Sequence, residues 1–306
     1  MANYTTVDDP TAFFNSVLYV GNEEARSITL DGLNDMQPDW VWAKIRSQGY
    51  SHRLFDSIRG TGKFLHSDGT DAEGTQNANV SAFNSNGFSL GNDNGINSDG
   101  DTHVAWCWKA GTAFTNDASS TSVGTIDSAG STSSTAKFSI VSWTGTGSAG
   151  TVAHNLGSVP KWYIIKNRSD ANNWAVYHHK LNANPEQFTM YLDSTSASTD
   201  DSGLANDTAP TSTVFSLTNG NYGNQDSYNY IGYFFDEVQG YSKFGSYTGN
   251  GNADGTYVHL GFKPAVIIIK RTDSTGNWNI IDNKRLGRNP NNPRLTPNAT
   301  TAEDDT

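Results

Sequence analysis

Short apolar runs separated by small polar residues form the dominant pattern of this chain. The clearest run places Val104, Trp106 and Trp108 on one side of an extended backbone and the intervening Ala105 and Cys107 on the other. Thr-Gly-Thr-Gly and Thr-Gly-Asn-Gly stretches mark tight turns between other runs. The pattern therefore predicts short β-strands joined by turns, with the run around Trp106 apolar on both faces, as in the centre of a packed sandwich.

The pattern recurs along the chain. A constant offset of 104 residues aligns a middle segment with a later one, because it places Pro160 on Pro264, Lys166 on Lys270 and Trp174 on Trp278. An offset of 127 places Trp106, in an earlier segment, on Tyr233. Self-similarity at this spacing indicates one structural unit, about the size of a single β-sandwich, that is repeated.

The repeat and the local composition predict how the chain is divided. We expect an N-terminal arm over residues 1–15, a first unit over 16–112, a flexible linker rich in Ser, Thr, Ala and Gly over 113–136, a second unit over 137–242 and a partial third unit over 243–306. Units of this size favour separate domains arranged like beads.

The third unit is expected to be incomplete. Leu295–Glu303 aligns with Leu65–Glu73, and the first unit continues well beyond that point while the sequence ends at Thr306. A half sandwich exposes apolar faces and open sheet edges. We therefore expect the natural chain to continue, or another chain to supply the missing strands.

The fold class that follows is all-β: tandem, jelly-roll-like β-sandwich repeats joined by a flexible linker, with the third repeat incomplete. Lys44, Lys166 and Lys270 end equivalent strands, and we expect their charged ends to reach solvent while their stems cover apolar surface. Cys107, the single cysteine, aligns with Phe234 and is predicted to be a small buried core residue.

Composition supports the strand prediction. Asn, Ser and Thr occur 32 times each and Gly 30 times, residues that suit turns better than helix interiors. Aromatic residues reach 11%, which argues against disorder. The net charge of −11 and the absence of a basic stripe argue against nucleic-acid binding, and the longest aliphatic run is far too short to insert in a membrane.

Motifs for chemistry are weak, and we predict no catalytic residue, metal site or cofactor. Gly87–Gly91 has the letters of a hydrolase elbow around Ser89, but the residues after it are not expected to open a helix. Residues 97–101 resemble a calcium loop without its required acidic ends. His178 and His179 are adjacent and so lie on opposite faces of a strand, which disfavours a shared metal ion.

Three ring residues are the candidate ligand contacts: Trp174, Trp278 and His52. Trp174 and Trp278 follow turns rich in Asn and Asp, an arrangement in which an exposed ring can stack on a sugar. The competing interpretation, which the shared position in two repeats favours, is that both tryptophans belong to the core.

The sequence resembles the repeated β-rich domain of virion proteins from marine, cyanophage-like tailed phages, which are usually labelled tail fibre or structural proteins. The resemblance covers nearly the whole chain and rests on these segments: Tyr4–Pro10, Tyr19–Asn22, Gln37–Trp42, Ser51–Gly60, Val104–Lys109 and Phe244–Thr256. It implies a non-enzymatic virion protein, made in the bacterial host cytoplasm and located at the tail or virion surface.

Several expectations about partners follow from the resemblance. The N-terminal arm is expected to bind other virion proteins, the protein to form a homo-oligomer such as a trimer, and the polar loops to bind glycans of the host surface. Many weak contacts multiplied by copy number suit such adhesion. Two alternatives stay open: a capsid decoration or head-fibre protein, and a polysaccharide-degrading tailspike, which requires an acidic pair in a groove.

Overall fold

The computed structural model describes residues 4–286 and 292–305. Nearly every regular element in them is a β-strand, and the strands pair antiparallel in several separate sheets. The predicted all-β fold is confirmed. Within the N-terminal arm, one short 3-10 helix, Pro10–Ala12, precedes the first strand and is capped by the Asp9 carboxylate.

The first unit contains two sheets. Its elements are β1 (Phe14–Val20), β2 (Arg26–Ile28), β3 (Trp40–Ile45), β4 (Arg53–Asp56), β5 (Lys63–His66), β6 (Gly74–Thr75), β7 (Val80–Asn84), β8 (Gly87–Leu90), α1 (Asn94–Asn97) and β9 (Thr102–Trp108). The main sheet has the order β1-β9-β3-β4-β5-β6, and a small sheet has the order β2-β8-β7.

The second unit repeats this arrangement. Its elements are β10 (Thr112–Asn116), α2 (Ala118–Thr121), β11 (Ser128–Ser133), β12 (Phe138–Thr144), β13 (Gly150–Ala153), β14 (Trp162–Asn167), β15 (Ala175–His178), a 3-10 helix (Pro185–Gln187), β16 (Phe188–Tyr191), β17 (Thr199–Asp200), β18 (Val214–Leu217) and β19 (Asn229–Phe235). The main sheet runs β10-β11-β12-β19-β14-β15-β16-β17, with β13 and β18 as the small sheet.

The register makes the strands from β12 to β17 of the second main sheet equivalent to those of the first main sheet, and β10 and β11 extend the second sheet at one edge. In the first unit β9 lies between β1 and β3, and in the second β19 lies between β12 and β14. Trp40 is opposite Trp108 just as Trp162 is opposite Phe235. The sequence repeat is therefore a repeat of sheet topology.

The third unit contributes β20 (Val266–Lys270) and β21 (Trp278–Asp282), which form an antiparallel hairpin. Ile280 of β21 also pairs with Leu295 through an isolated bridge, as Leu54 of β4 pairs with Leu65 of β5. Strands β20 and β21 are thus the counterparts of β3 and β4. The described part of the third unit is a partial copy, as the sequence predicts.

Each complete unit is a sandwich because one face of its main sheet packs on its small sheet. In the first unit Val41, Ala105 and Cys107 pack against Ile28 and Phe88. The second unit has a separate core of the same kind, built around residues such as Tyr163, Phe215 and Phe234. Cys107 is fully buried among apolar side chains, so the prediction of a core cysteine is confirmed.

The opposite faces of the main sheets meet in one core shared by all three units. Trp106 of the first unit, Tyr233 of the second and Trp278 of the third belong to this single cluster. The prediction of separate domains arranged like beads is therefore wrong. Both faces of β9 and β19 are apolar because one face of each main sheet packs on the small sheet of its own unit, and the other face is covered by the neighbouring units.

The predicted flexible linker over residues 113–136 is also wrong. It contains most of β10, the one-turn helix α2 and β11, and β11 pairs along its whole length with β12. Small residues let these strands approach closely: a Cβ added at Gly130 would lie 1.9 Å from the carbonyl oxygen of Ile140. The small residues that are typical of linkers allow close packing of strands in this segment. The main sheet of the second unit therefore begins at Thr112.

The N-terminal arm lies against the rest of the chain over its described residues. Val7 is buried, and the Tyr4 hydroxyl donates a hydrogen bond to the Gly261 carbonyl at 2.8 Å. No helix among residues 4–286 and 292–305 is long and apolar enough to cross a membrane.

Candidate functional site

Buried charged side chains join the first unit to the second. Asp56 lies at the end of β4, where its carboxylate accepts hydrogen bonds from the Arg59 guanidinium and, at 2.7 Å, from the hydroxyl of Tyr233 in β19. Glu73 accepts two hydrogen bonds from Arg168 of the second unit, the shorter at 2.8 Å. We call this network the one–two junction.

The third unit is joined to the first by an equivalent network, the three–one junction. Asp282 accepts from Arg285 at 2.7 Å and from the indole N–H of Trp106 in β9 at 3.0 Å. Glu303 accepts from Arg285 at 3.0 Å and from both Nε and Nη2 of Arg46 at 2.9 and 2.8 Å. Partial burial opposes ionisation of Glu303, but the hydrogen bonds from the two arginines outweigh it and lower its pKa.

Backbone hydrogen bonds show that the junctions follow a cyclic order. The amide of Glu73 donates to the Arg168 carbonyl, and the amide of Glu303 donates to the Arg46 carbonyl. The equivalent bond between the second and third units runs from Ser198 to Thr272 at 3.0 Å. Each unit therefore binds the next, and the third binds the first, which closes the arrangement.

Within the described residues, no buried ion pair of this kind joins the second unit to the third. His178 ends β15 at the position that Asp56 has in β4, and Leu181 stands where Arg59 stands. Ser198 takes the position of Glu73 and donates hydrogen bonds from its backbone N–H and its hydroxyl, both at 3.0 Å, to the Thr272 carbonyl. This junction is thus the least charged of the three.

The three predicted ligand contacts occupy one equivalent position in the three units, at the start of β4, β15 and β21. The indole of Trp174 donates to the His66 carbonyl of the first unit at 2.7 Å, and that of Trp278 donates to the Tyr191 carbonyl of the second at 2.9 Å. His52 accepts from the Trp42 indole at 2.9 Å, and burial lowers its pKa.

None of these three rings reaches the surface, so the ligand-contact prediction is corrected. His52 and Trp174 are fully buried, and Trp278 is 3% exposed. Each ring enters the core shared with a neighbouring unit, because the turn before it brings the strand start to a junction. The core interpretation of Trp174 and Trp278, which the repeat favours, is confirmed.

The lysines at the strand ends also belong to the junctions. Lys166 donates to the carbonyls of Thr70 and Asn172 at 2.8 and 2.6 Å, which links the second unit to the first. Lys44 and Lys166 are fully buried, so the prediction of solvated charged ends is wrong for both. Burial lowers the pKa of each of these two lysines to about 8.

The residues of the weak chemical motifs have structural roles. Ser89 shares a hydrogen bond with the Ser27 hydroxyl at 3.0 Å and accepts another from Asn84 at 2.9 Å. A one-turn helix does follow it, contrary to expectation, because the Asp93 carboxylate caps Asn94–Asn97. In the part of the chain that the structure describes, no group of three or more His, Cys, Asp and Glu residues is placed to hold a metal ion.

A small surface cleft in the second unit combines features that suit a neutral polar ligand. Its volume is about 370 Å³, and it is lined by Asn172, Asn173, Gly203, Gly220, Asn221 and Tyr222. The Tyr222 hydroxyl is hydrogen-bonded at 2.9 Å to the Tyr191 hydroxyl, which itself donates to the Asp201 carboxylate at 2.9 Å, and this contact holds the ring at the cleft wall. One held aromatic ring beside several amides is the arrangement that binds a sugar by stacking and hydrogen bonds.

Sequence reasoning missed the junctions, although a signal was present. Asp-x-x-Arg occurs at Asp56 to Arg59 and again at Asp282 to Arg285, at equivalent positions in the first and third units. Self-comparison extended to polar positions would have found it. That the pair forms a joint between units can be seen only in the tertiary structure, because the ring donors Tyr233 and Trp106 come from distant strands.

In a comparison with protein families, residues 9–306 match the family described as "Domain of unknown function (DUF7483)". No curated protein and no solved structure matches the chain.

Proposed function

We propose that this chain, which belongs to the DUF7483 family, is a non-enzymatic structural protein of a phage virion that displays polar loops for adhesion to host-surface glycans. It is made in the host cytoplasm and acts at the virion surface, most simply as part of a tail fibre. Its partners are other virion proteins and further copies of itself. The resemblance drawn from the sequence suggests the setting, and the architecture of the molecule supports the role.

The proposal rests on where four fully buried charged side chains lie in the molecule. Asp56, Arg59, Asp282 and Arg285 have fully buried side chains, and every one of them takes part in a joint between units. Burying such groups is unfavourable unless they are paired and hydrogen-bonded, as they are here. A protein in which these four buried charges form joints between units is suited to a mechanical role.

The outer surface suits recognition of neutral glycans. The chain carries a net charge of −11, which disfavours binding to phosphate-rich surfaces. The second-unit cleft around Tyr222 offers an aromatic ring and three asparagine side chains instead of charges. We place the adhesive contact at this cleft because a shallow site of this kind gains strength from many copies on one particle.

Glycan-array binding tests the adhesive part of the proposal. We expect the protein, presented multivalently on beads, to bind neutral host-surface glycans, and the Asn221→Ala variant to lose most of that binding. Asn252→Ala, which changes an exposed asparagine of the third unit, is the matched control and should bind like the original protein. Equal binding by both variants would contradict the cleft as the site.

Incubation of the same glycans with the protein separates adhesion from the enzyme alternative. Intact glycan chains after prolonged incubation are the expected result, and shortened chains would replace this proposal with a tailspike activity. A whole-virion reconstruction then distinguishes tail from capsid. Density for the chain on the capsid lattice would favour the decoration or head-fibre alternative.

A further inference from the structure

Strand β20 has the sequence of a central strand in the position of an edge strand. Val266–Lys270 reads Val-Ile-Ile-Ile-Lys, which is apolar at alternate and at intervening positions, as in strands covered on both faces and both edges. Its counterparts β3 and β14 are fully buried, and each lies between two partners. Within the described residues β20 pairs with β21 alone, and Ile267 is 37% exposed.

The free edge of β20 presents a defined row of backbone groups. The amide of Asn283 donates to the Ala265 carbonyl, so the odd-numbered residues of β20 are the ones bonded to β21. Val266, Ile268 and Lys270 therefore direct their N–H and C=O groups to the opposite edge. The corresponding groups of β3 and β14 face β9 and β19, as the bonds from Arg46 to Thr102 and from Arg168 to Asn229 show.

An apolar cavity lies beside this edge. Its volume is about 1890 Å³, and its lining includes Trp108, Phe138, Trp162, Phe235, Phe244 and Ile268. These six side chains belong to the shared core or pack against it. The first and second units each send a central strand into that core, and the cavity adjoins the β20 edge where a third would lie.

The second unit shows what a third central strand would meet. Tyr233 of β19 donates to Asp56, and Trp106 of β9 donates to Asp282. The equivalent residue of the second unit is His178, which lines the cavity and whose Nδ1 accepts the amide N–H of Lys180 at 3.1 Å. Burial lowers the pKa of His178 to about 4, so the ring is neutral at pH 7 and carries its proton on Nε2.

That protonation state selects the facing group. A protonated Nε2 is a hydrogen-bond donor, so its partner must accept a hydrogen bond. A tyrosine hydroxyl accepts, whereas the indole N–H of tryptophan only donates. At this position the site therefore favours tyrosine, as in β19, over tryptophan, as in β9.

We propose that the open edge of β20 binds an extended strand from a partner polypeptide, antiparallel to β20, with the alternating apolar pattern of β19 and a tyrosine opposite Ile268. The position of the tyrosine follows from the register, since Tyr233 is opposite Ile164 and Trp106 is opposite Trp42. Edge strands with unpaired backbone groups are ready templates for such pairing. The repeated topology identifies the occupant, because the two equivalent edges in this molecule both carry a strand of this kind.

A synthetic peptide tests the proposal directly. The probe carries the β19 sequence Asn-Tyr-Ile-Gly-Tyr-Phe-Phe between lysine tails, and its control is a scrambled sequence with the same tails. We expect one peptide to bind per protein and to raise Tm by roughly 5 °C at saturating concentration, because a ligand that binds only the folded state stabilises it. The scrambled peptide should leave Tm unchanged.

Hydrogen exchange locates the bound peptide. We expect the amides of Val266, Ile268 and Lys270 to exchange about tenfold more slowly with peptide bound, since they gain partners. Ile267 and Ile269, which are already bonded to β21, should change much less. N-methylation of the peptide at its Ile and central Tyr, the residues of β19 whose amides face β14, should abolish binding.

Three outcomes would contradict the proposal or part of it. One is peptide binding without added protection at the three β20 amides, which would show that the peptide binds elsewhere. Another is self-association of the protein with those amides protected before peptide is added, which would show that a second copy covers the edge. A β9 peptide that binds as tightly as the β19 peptide would contradict the selection of tyrosine by His178.

Discussion

At the residue scale, the one–two and three–one junctions use the same pair of residue types, an aspartate and the arginine three positions after it. One carboxylate oxygen of Asp56 accepts backbone N–H groups of Ile58 and Arg59, and Asp282 does the same for Lys284 and Arg285. The other oxygen accepts the arginine and a ring donor from the next unit. Each buried charge is thus paired and fully hydrogen-bonded, which makes its burial tolerable.

Removing the arginine of an ion pair should lower stability more for a buried pair than for an exposed pair. We expect Arg59→Leu to lower the free energy of unfolding by roughly 3–5 kcal/mol, because it leaves the Asp56 carboxylate buried without its charge partner. Arg271→Leu breaks the exposed pair with Asp273 and should leave stability unchanged. Urea unfolding of both variants is the measurement, and equal midpoints for the two would contradict the assigned role.

At the element scale, each strand of the β3 type ends in a lysine that caps carbonyls of the neighbouring unit. Lys44 donates to the Thr300 carbonyl, Lys166 to that of Thr70 and Lys270 to that of Thr195. The sequence places these lysines correctly at strand ends. It does not reveal that a neighbouring loop folds over the ends of Lys44 and Lys166.

The difference in burial between two of these lysines yields a matched comparison. We expect Lys166→Met to destabilise the protein by about 2 kcal/mol, because the partly buried carbonyls of Thr70 and Asn172 lose the donor that the fully buried lysine provides. Lys270→Met should have a clearly smaller effect, since the bonds it removes are exposed to water. The measurement is the Tm of the two variants in thermal unfolding. A larger fall in Tm for Lys270→Met than for Lys166→Met would contradict the interpretation.

At the scale of the whole molecule, three units share one core, and packing buries several histidines wholly or in part. Burial lowers the pKa of His103, His154 and His178 to about 4 from an ordinary value of 6.5. Between these two values the unfolded chain binds more protons than the folded chain. The stability that these neutral rings allow is therefore present above pH 6.5 and lost as pH falls towards 4.

We accordingly expect the urea midpoint to fall steadily between pH 6.5 and pH 4. His154→Gln should flatten this dependence, because it removes one of the groups that take up a proton on unfolding. His259→Gln changes an exposed histidine and serves as the control, with the original slope retained. A midpoint that is constant over this range would contradict the neutral buried state of the three rings.

Some features of this protein are determined by the sequence alone. Short runs of aromatic and β-branched residues predict strands, and the constant offset that places Lys166 on Lys270 shows which strands are equivalent. The apolar alternation around Trp106 identifies Cys107 as a core residue without any structure. The strands and the core position of Cys107 follow from residues within a few positions along the chain, and the repeat follows from comparing the chain with itself.

Only the tertiary structure decided which surface covers each apolar face. The sequence shows that both faces of β9 are apolar, and a single sandwich explains that as well as a core shared by three units does. The Ser- and Thr-rich residues of β11 pair as a strand because β12 lies beside them, and Trp174 is buried because the first unit covers it. Burial is a property of what packs from elsewhere in the chain, so no local pattern specifies it.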